Sequence, residues 1–331
     1  MLSACQSPDS PESMLDNYLY RLRNSLQIDE PLMGGQPSLQ QGLPAYPRRR
    51  DLLHAIPPSS INILAFLRLS SCDLQRHIGQ RNSSLGSLMK GSQRLIYEYE
   101  FIRLAEKCLL HMGKRDPLYA ELQAVLKDKY AQLPKQKWNA IAASEEFSRL
   151  FSLGSQAFSR VTIKENPVEL YTAIDTLQRF SAEKINDAGQ VETAYSVLAS
   201  SKYFGELRLS MRLLVRYMLV ADRLLDNRSN VKPLCFAGKP NKQSAIVKTV
   251  FLTFYIGEVQ PYIAKVNQQA KKVFEHMDNL VSPLVSVPAF DRFWLNVYTG
   301  EDSEWQQFNQ AIDRHTKKWQ QLLGQCGLLP A

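Results

Sequence analysis

The sequence predicts an all-α protein, a multi-helix bundle with long C-terminal helices and an irregular Pro/Gly-rich arm near the N-terminus. Apolar residues recur at helical spacing along most of the 331 residues, as in helices that bury one face. Turn-forming Pro and Gly residues concentrate in one long stretch between helices. A hydrophobic content of 44% is sufficient for a sizeable core.

The first helix is expected directly after Ser10. Ser10-Pro11-Glu12 supplies a capping hydroxyl, a proline at the first helical position and an acidic first turn. The amphipathic helix that follows, residues 13–26, could rest on a bilayer surface or pack on the bundle, and the sequence does not separate these two. Over residues 29–60 the helical pattern stops and six of the 17 prolines occur. This composition predicts an arm laid over the body.

The later helices follow from the same periodicity. A second helix is expected from Ile61 to Ile78 and a third from about Leu95 to Leu109. Further helical segments are predicted over 117–130, 134–147, 167–187, 191–226, 243–280 and 302–323. Pro261 is expected to bend the helix in which it lies.

A polar stretch, residues 154–166, is the best candidate for an internal boundary. Residues 13–331 are therefore expected to form one helical domain, with a division into subdomains 13–153 and 167–331 as the alternative. Residues 1–12 are assigned to a separate leader and tether.

The leader carries the most specific signal of location. Leu2-Ser3-Ala4-Cys5 has the form of the end of a bacterial lipoprotein signal, in which the cysteine becomes the acylated first residue. The residues after Cys5 are polar and contain prolines, which suits an extended tether. Gln6 is not the Asp that commonly retains lipoproteins in the inner membrane. We therefore expect a lipid anchor at Cys5 on the periplasmic face of the outer membrane.

Only four residues precede Cys5, whereas a complete export signal has a charged start and about 7 to 15 apolar residues. Either the true start lies upstream, or the tetrapeptide is a chance match and the protein is cytosolic. No run approaches the roughly 18 apolar residues of a spanning helix. Membrane attachment would therefore depend on the lipid.

The other four cysteines form an even set, as in proteins of an oxidising compartment. We favour disulfides between Cys72 and Cys108 and between Cys235 and Cys326, because each pair closes a local half of the chain and the loops do not cross. The alternative is four buried free thiols, which are common in cores. No Cys-x-x-Cys spacing occurs, so neither a redox motif nor a thiolate zinc site is expected.

Five short segments carry a resemblance to a known family: Tyr46-Pro47-Arg48-Arg49-Arg50-Asp51, Arg81-Asn82-Ser83-Ser84-Leu85-Gly86, Trp138-Asn139, Val259-Gln260-Pro261-Tyr262 and Cys326-Gly327-Leu328-Leu329-Pro330. With these segments the chain resembles, over nearly its whole length, the uncharacterised proteobacterial lipoproteins known as domain of unknown function 3080. The resemblance implies export and lipidation at Cys5. It adds no activity, substrate or catalytic residue.

No catalytic or cofactor motif is recognisable. The nucleophile elbow, the phosphate-binding loop, the dinucleotide fingerprint and the paired-histidine zinc motif are all missing from the sequence. The histidines are scattered without ligand spacing, so we expect no metal, no cofactor and surface or packing roles for His54, His77, His111, His276 and His315. Asp222 and Asp226 lie one helical turn apart, but neighbouring arginines favour a solvated ion-pair face over a catalytic pair.

Two groups of arginines are candidate anion-binding residues. Arg208, Arg212 and Arg216 recur every four residues on one helix face, where like charges repel unless an anion relieves them. An intramolecular carboxylate is favoured over a ligand as that anion. The arm residues Arg48-Arg49-Arg50 either dock on phosphate or carboxylate groups of a partner, or pin the arm to acidic helices of the same protein.

A net charge of +8 and a pI near 9.1 favour anionic partners. The leading hypothesis is a non-enzymatic binding or scaffolding module for an envelope protein or an anionic wall or lipid partner. The second is an envelope enzyme in which the arginine stripe holds an anionic substrate near Glu206, Asp222 or Asp226. The third is a cytosolic nucleic-acid binder, which needs a concentrated basic face that this sequence lacks, so nucleic acid is not an expected partner.

Overall fold

The fold comes from a computed structural model that describes residues 9–29, 38–57, 63–69, 72–81, 89–154, 156–184, 187–231, 233–236 and 238–328. The structure is 75% helical and contains no strand within these ranges. The all-α prediction is therefore confirmed, together with the long C-terminal helices.

The N-terminal part begins with helix α1, Pro11–Leu26, whose predicted cap is present because the Ser10 hydroxyl accepts a hydrogen bond from the Ser13 amide at 3.1 Å. The arm follows and contains one short helix, α2, Arg49–Leu52. The other N-terminal helices are α3 Ile63–Arg68, α4 Asp73–Arg81, α5 Gly91–His111, α6 Pro117–Ile141 and α7 Glu145–Leu150.

The C-terminal part contains α8 Val168–Ser181, α9 Ala188–Ser200, α10 Tyr203–Val231, α11 Lys242–Val250, α12 Gln260–Val281, α13 Pro288–Trp294 and α14 Glu304–Gly324. A π-helical stretch, Phe251–Val259, joins α11 to α12 without a break, and a second, Leu295–Thr299, extends α13. No described helix is long and apolar enough to cross a membrane.

Several boundaries differ from the sequence predictions. α6 runs through Pro134, where two separate segments were expected, because buried Leu133 and Trp138 hold both sides of the proline to the core. The predicted helix 191–226 is divided at Ser201, whose backbone is extended. Pro261 lies directly after the π-helical stretch, inside the continuous helical run from Lys242 to Val281 that corresponds to the predicted helix 243–280. The short α13 was missed because seven residues give no clear period.

Helix α10 is central to the packing. It lies along α14 and also contacts α1 and α12. In the N-terminal half, α5 packs on α6, and α9 connects the halves by packing on both α7 and α8. Buried side chains from both halves form one hydrophobic core, which includes Phe158 and Ile163 from the stretch 154–166.

A buried polar network locks α1, α10 and α14 together. The His315 ring lies with Nδ1 2.7 Å from Asp222 Oδ1 and Nε2 2.8 Å from the Tyr18 hydroxyl. The Trp319 indole N–H donates to the same hydroxyl at 2.9 Å, and Arg314 Nε donates to the other Asp222 oxygen at 2.7 Å. Asp222 can only accept, so His315 Nδ1 carries the proton and donates it to Asp222. Nε2 then has no proton and accepts a hydrogen bond from the Tyr18 hydroxyl. Each of these polar groups therefore has a hydrogen-bond partner.

Burial holds this histidine neutral. The pKa of the His315 ring is lowered from its usual 6.5 by desolvation, and the hydrogen bond to Asp222 only partly opposes that shift. Burial also raises the pKa of the Tyr18 phenol, so the hydroxyl remains a donor. The network therefore joins three helices without placing a charge on the imidazole.

The stability of the protein should fall on acidification. In the unfolded chain His315 regains its usual pKa, so below about pH 6.5 the unfolded state binds a proton that the folded state does not. We expect the free energy of unfolding to decrease from about pH 7 to about pH 5, as measured by urea denaturation. The decrease should be smaller in His315→Asn and unchanged in His111→Asn, whose side chain is exposed. Equal pH dependence in both variants would contradict this assignment.

Candidate functional site

The part of the arm that the structure describes as one stretch, residues 38–57, is fixed to the body by Tyr46. The Tyr46 ring stacks on Phe151, with ring centres 4.7 Å apart, and meets Phe293 edge-on at 5.1 Å. Its hydroxyl donates to the Ala142 carbonyl at 2.6 Å. Tyr46 therefore anchors the arm by both an apolar face and a polar tip.

The end of the arm is held by two neighbouring residues of α6. The Trp138 indole donates to the Leu52 carbonyl at 2.7 Å. The Asn139 side chain accepts from the His54 amide at 2.8 Å and donates to the His54 carbonyl at 2.9 Å. The Asn139 side chain thus provides hydrogen-bond partners for both the amide and the carbonyl of His54, as the backbone of a neighbouring β-strand would. The His54 ring also donates to the Val285 carbonyl at 2.7 Å.

The arginine stripe of α10 lies under the arm. The Arg208 side chain is fully buried and forms a two-pronged ion pair with Glu304 of α14, at 2.9 and 2.5 Å. It also donates to the Pro44 carbonyl at 2.7 Å, and Arg216 donates to the Ser38 carbonyl at 2.6 Å. The anion that faces Arg208 is therefore an intramolecular carboxylate. Arg212 has a buried Nε with no hydrogen-bond partner among the described residues.

The arm arginines divide into two groups. Arg49 faces the body, where its Nε donates to the Ala143 carbonyl at 3.3 Å and its Nη1 lies 4.0 Å from Glu145. Arg48 and Arg50 are about 70% exposed and contact Asp51 at 3.0 and 3.8 Å. Arg49 thus pins the arm, whereas the other two guanidinium groups face solvent.

The four cysteines in the described residues are paired as the sequence favours. Cys72 and Cys108 connect the start of α4 to α5, with Cα atoms 5.9 Å apart. Cys235 and Cys326 connect the segment before α11 to the end of α14, with Cα atoms 5.2 Å apart. Cys5, the predicted site of lipid attachment, lies outside the described residues.

A cleft of about 880 Å³ lies between the end of the arm, α3, α4 and the paired helices α5 and α6. This volume falls within the roughly 300–1,000 Å³ of small-molecule sites. Its apolar lining includes Phe66, Ile78, Tyr97, Phe101 and Val125, and its polar lining includes Arg49, Arg94, Glu98, Lys129 and Gln136. The cleft is thus both apolar and cationic.

The charges of the cleft are unbalanced. Among its described lining residues there are four cations, Arg49, Arg81, Arg94 and Lys129, and one carboxylate, Glu98. Lys129 Nζ lies 2.8 Å from Glu98, and only 12% and 10% of these two side chains are exposed. This pair is neutral as a unit, and Arg49 lies 4.0 Å from Glu145 outside the lining, so Arg94 is the lining arginine that has no ion-pair partner shown among the described residues.

The carboxylates proposed for catalysis do not meet. Asp222 binds His315 and Arg314, and Asp226 binds Lys318. Glu206 is half-buried, which raises its pKa. Residues 206 and 226 are separated by about 30 Å along α10. Within the described part of the chain, no three His, Cys, Asp or Glu side chains are grouped so that they could hold a metal.

The sequence did not indicate the cleft, because its walls come from five separate segments between residues 49 and 140. One local signal was present in Gly91. A Cβ at this position would lie 3.2 Å from the Ala140 Cα, so a larger residue would push α5 and α6 apart by a few tenths of an ångström. Arg94, one turn later, carries no sequence signal that distinguishes it from other surface arginines.

Comparison with known proteins identifies the family. A family model described as "Protein of unknown function (DUF3080)" matches residues 15–330. The chain belongs to the DUF3080 family. No curated protein and no solved structure matches the chain.

In this DUF3080 protein, the segments that carried the resemblance mainly fasten structural elements. Tyr46 donates to Ala142 at the end of α6, and Trp138 and Asn139 bind Leu52 and His54, just after the first of these segments. Tyr262 donates to the Phe158 carbonyl at 2.8 Å, and Cys326 forms a disulfide. Residues 82–86 and 329–330 of the other matched segments lie outside the described residues.

Loss of the buried arginine should destabilise the protein strongly. Arg208→Met leaves Glu304 without its counter-charge, so we expect the free energy of unfolding to fall by about 3–5 kcal/mol, measured by denaturant unfolding. Arg223→Met, on the exposed face of the same helix, should change it by less than about 0.5 kcal/mol. Replacing Arg208 and Glu304 together by Met should restore most of the loss. Equal stability of the two single variants would be inconsistent with this role.

Proposed function

We propose that this DUF3080 protein is a lipid-anchored, non-enzymatic binding module on the periplasmic face of the outer membrane. The lipid on Cys5 attaches it to the bilayer, and the cleft at the end of the arm binds an envelope component. The binding role rests on the cleft of about 880 Å³ and its excess of arginines.

The location is supported by the cysteines. All four cysteines in the described residues are paired, Cys72 with Cys108 and Cys235 with Cys326, and stable disulfides form in oxidising compartments. Each would stabilise the fold by about 4–5 kcal/mol in the chain-entropy account. Leu2-Ser3-Ala4-Cys5 gives an independent reason for placing the chain outside the cytoplasm.

A binding role is favoured over catalysis by the partners of the candidate side chains. Arg208 binds Glu304, and Asp222 binds His315, so neither is available to a substrate. The Glu98–Lys129 pair in the cleft wall is largely buried and mutually neutralised. The cleft therefore offers charge and apolar surface for recognition.

The location is tested by expressing the gene from its genomic start in a bacterial host, with envelope fractionation and intact-mass measurement. We expect an acylated Cys5 in the outer-membrane fraction and a gain of about two daltons for each disulfide on reduction. Cys5→Ser should abolish the acyl mass and remove the protein from the outer-membrane fraction, and Gln6→Asp should move the acylated protein to the inner membrane.

Ser7→Ala is the matched control, because it alters the tether next to Gln6 without touching the acylation site. It should leave both the acyl mass and the membrane fraction unchanged. An unmodified Cys5 together with free thiols in a cytosolic fraction would overturn the proposed location.

A further inference from the structure

We propose that the cleft binds an anionic amphiphile, a molecule with a carboxylate or phosphate head and an alkyl chain. This inference rests on the proposed binding function and names the ligand class of the same site. The head lies at the end of the cleft formed by Arg94 and Arg49, and the chain lies against Tyr97, Phe101 and Val125.

The pairing of α5 with α6 sets the position of the polar end. Gly91 of α5 lies against Ala140 of α6, because a Cβ placed on Gly91 would be 3.2 Å from the Ala140 Cα. Further along, Glu98 of α5 pairs with Lys129 of α6. The two helices are therefore antiparallel, and Arg94 and Gln136 lie between these levels on facing helices.

Arg94 and Gln136 are available to a ligand. Both line the cleft, and neither side chain has a hydrogen-bond or ion-pair partner among the residues that the structure describes. A guanidinium beside an amide offers several N–H donors, which matches the acceptor oxygens of a carboxylate or phosphate.

Arg49 reaches the same end of the cleft from the arm. Its Nε binds the Ala143 carbonyl, just beyond the end of α6 and three residues after Ala140. More than half of its side chain, 57%, is exposed. Two guanidinium groups from different elements therefore converge at the Gly91 end, while the backbone of the arm is held in place by Asn139.

The opposite end is apolar. Tyr97 and Phe101 lie one turn apart on α5, and with Val125 of α6 each is at most 9% exposed. Lys129 approaches the Phe101 ring at 5.0 Å, but Glu98 neutralises its charge. Arg81 is already engaged over the Tyr97 ring. From Arg94 to Phe101 the helix rises by about 10 Å, which separates a head subsite from a chain subsite.

These features select among occupants. A neutral lipid would leave Arg94 without a counter-charge, and an inorganic anion would not contact the apolar lining, which includes the half-buried Phe66 and Ile78. A nucleic acid needs a long basic groove with stacking platforms, whereas here Tyr97 is covered by His77, with ring centres 4.3 Å apart. An anionic amphiphile satisfies both ends.

The test uses the full chain carrying Cys5→Ser, so that no attached lipid competes, and isothermal titration calorimetry. The probes are dodecanoate and dodecyl phosphate below their micellar concentrations. Dodecyl maltoside has the same chain without charge, and inorganic phosphate has charge without the chain. We expect saturable one-to-one binding of the two anionic amphiphiles and at least about tenfold weaker binding of the other two.

Arg94→Gln should weaken binding of the anionic amphiphiles by about tenfold, and Arg49→Gln should also weaken it. Arg103→Gln is the matched control, because Arg103 is on the opposite face of α5 and pairs with Glu100 at 2.6 Å. Arg103→Gln should bind the anionic amphiphiles with the same affinity as the parent protein, which carries Cys5→Ser alone. All three side chains are exposed, and circular dichroism checks that each variant is folded.

If dodecyl phosphate binds more tightly than dodecanoate, the ligand has a phosphate head. If dodecanoate binds more tightly, the ligand has a carboxylate head. Either result supports the proposal. Equal affinity for dodecyl maltoside, or unchanged affinity in Arg94→Gln, would overturn it. Because acylation of Cys5 is read by mass in separate samples, the ligand class and the proposed location can fail independently.

Discussion

The structure depends on how an irregular arm obtains hydrogen bonds for its backbone. A buried carbonyl or amide without a partner is costly, and the arm has little regular structure of its own. Side chains of the helices supply the partners. Arg208 donates to Pro44 and Trp138 to Leu52, while Asn139 binds both backbone groups of its arm residue. Arg208 can be buried because Glu304 neutralises it. A single charged residue thus ties the arm, α10 and α14 together.

The cleft is a product of the same contacts. Asn139 and Arg49 hold the end of the arm where it forms one wall. The opposite wall is α4, which is tied to α5 by the Cys72–Cys108 disulfide. Both walls are therefore fastened to the rigid pair α5 and α6. This arrangement resembles other ligand sites, in which polar groups are positioned by elements whose own contacts are already satisfied.

The sequence predicted correctly those features that depend on residues close together in the chain or on the chain's connectivity. The cap of α1 follows from three adjacent residues, and the disulfide pairing follows from loop closure. Sequence reasoning failed where the deciding partner is remote. The arginine stripe indicated that an anion faces Arg208, but Glu304 lies 96 positions away. Pro134 was treated as a helix start because a local rule was applied without the burial of its neighbours. The cleft could not be predicted, because five separate segments build it: the end of the arm, α3, α4, α5 and α6.

The network around His315 also needs both ends of the described chain before it can form. Tyr18 and His315 are 297 positions apart, and contacts of such long range slow folding because the intervening chain must be ordered first. During synthesis α1 emerges at the beginning, whereas its buried polar partners in α14 emerge at the end. The buried polar contacts of α1 with His315 and Trp319 therefore form only once α14 is available.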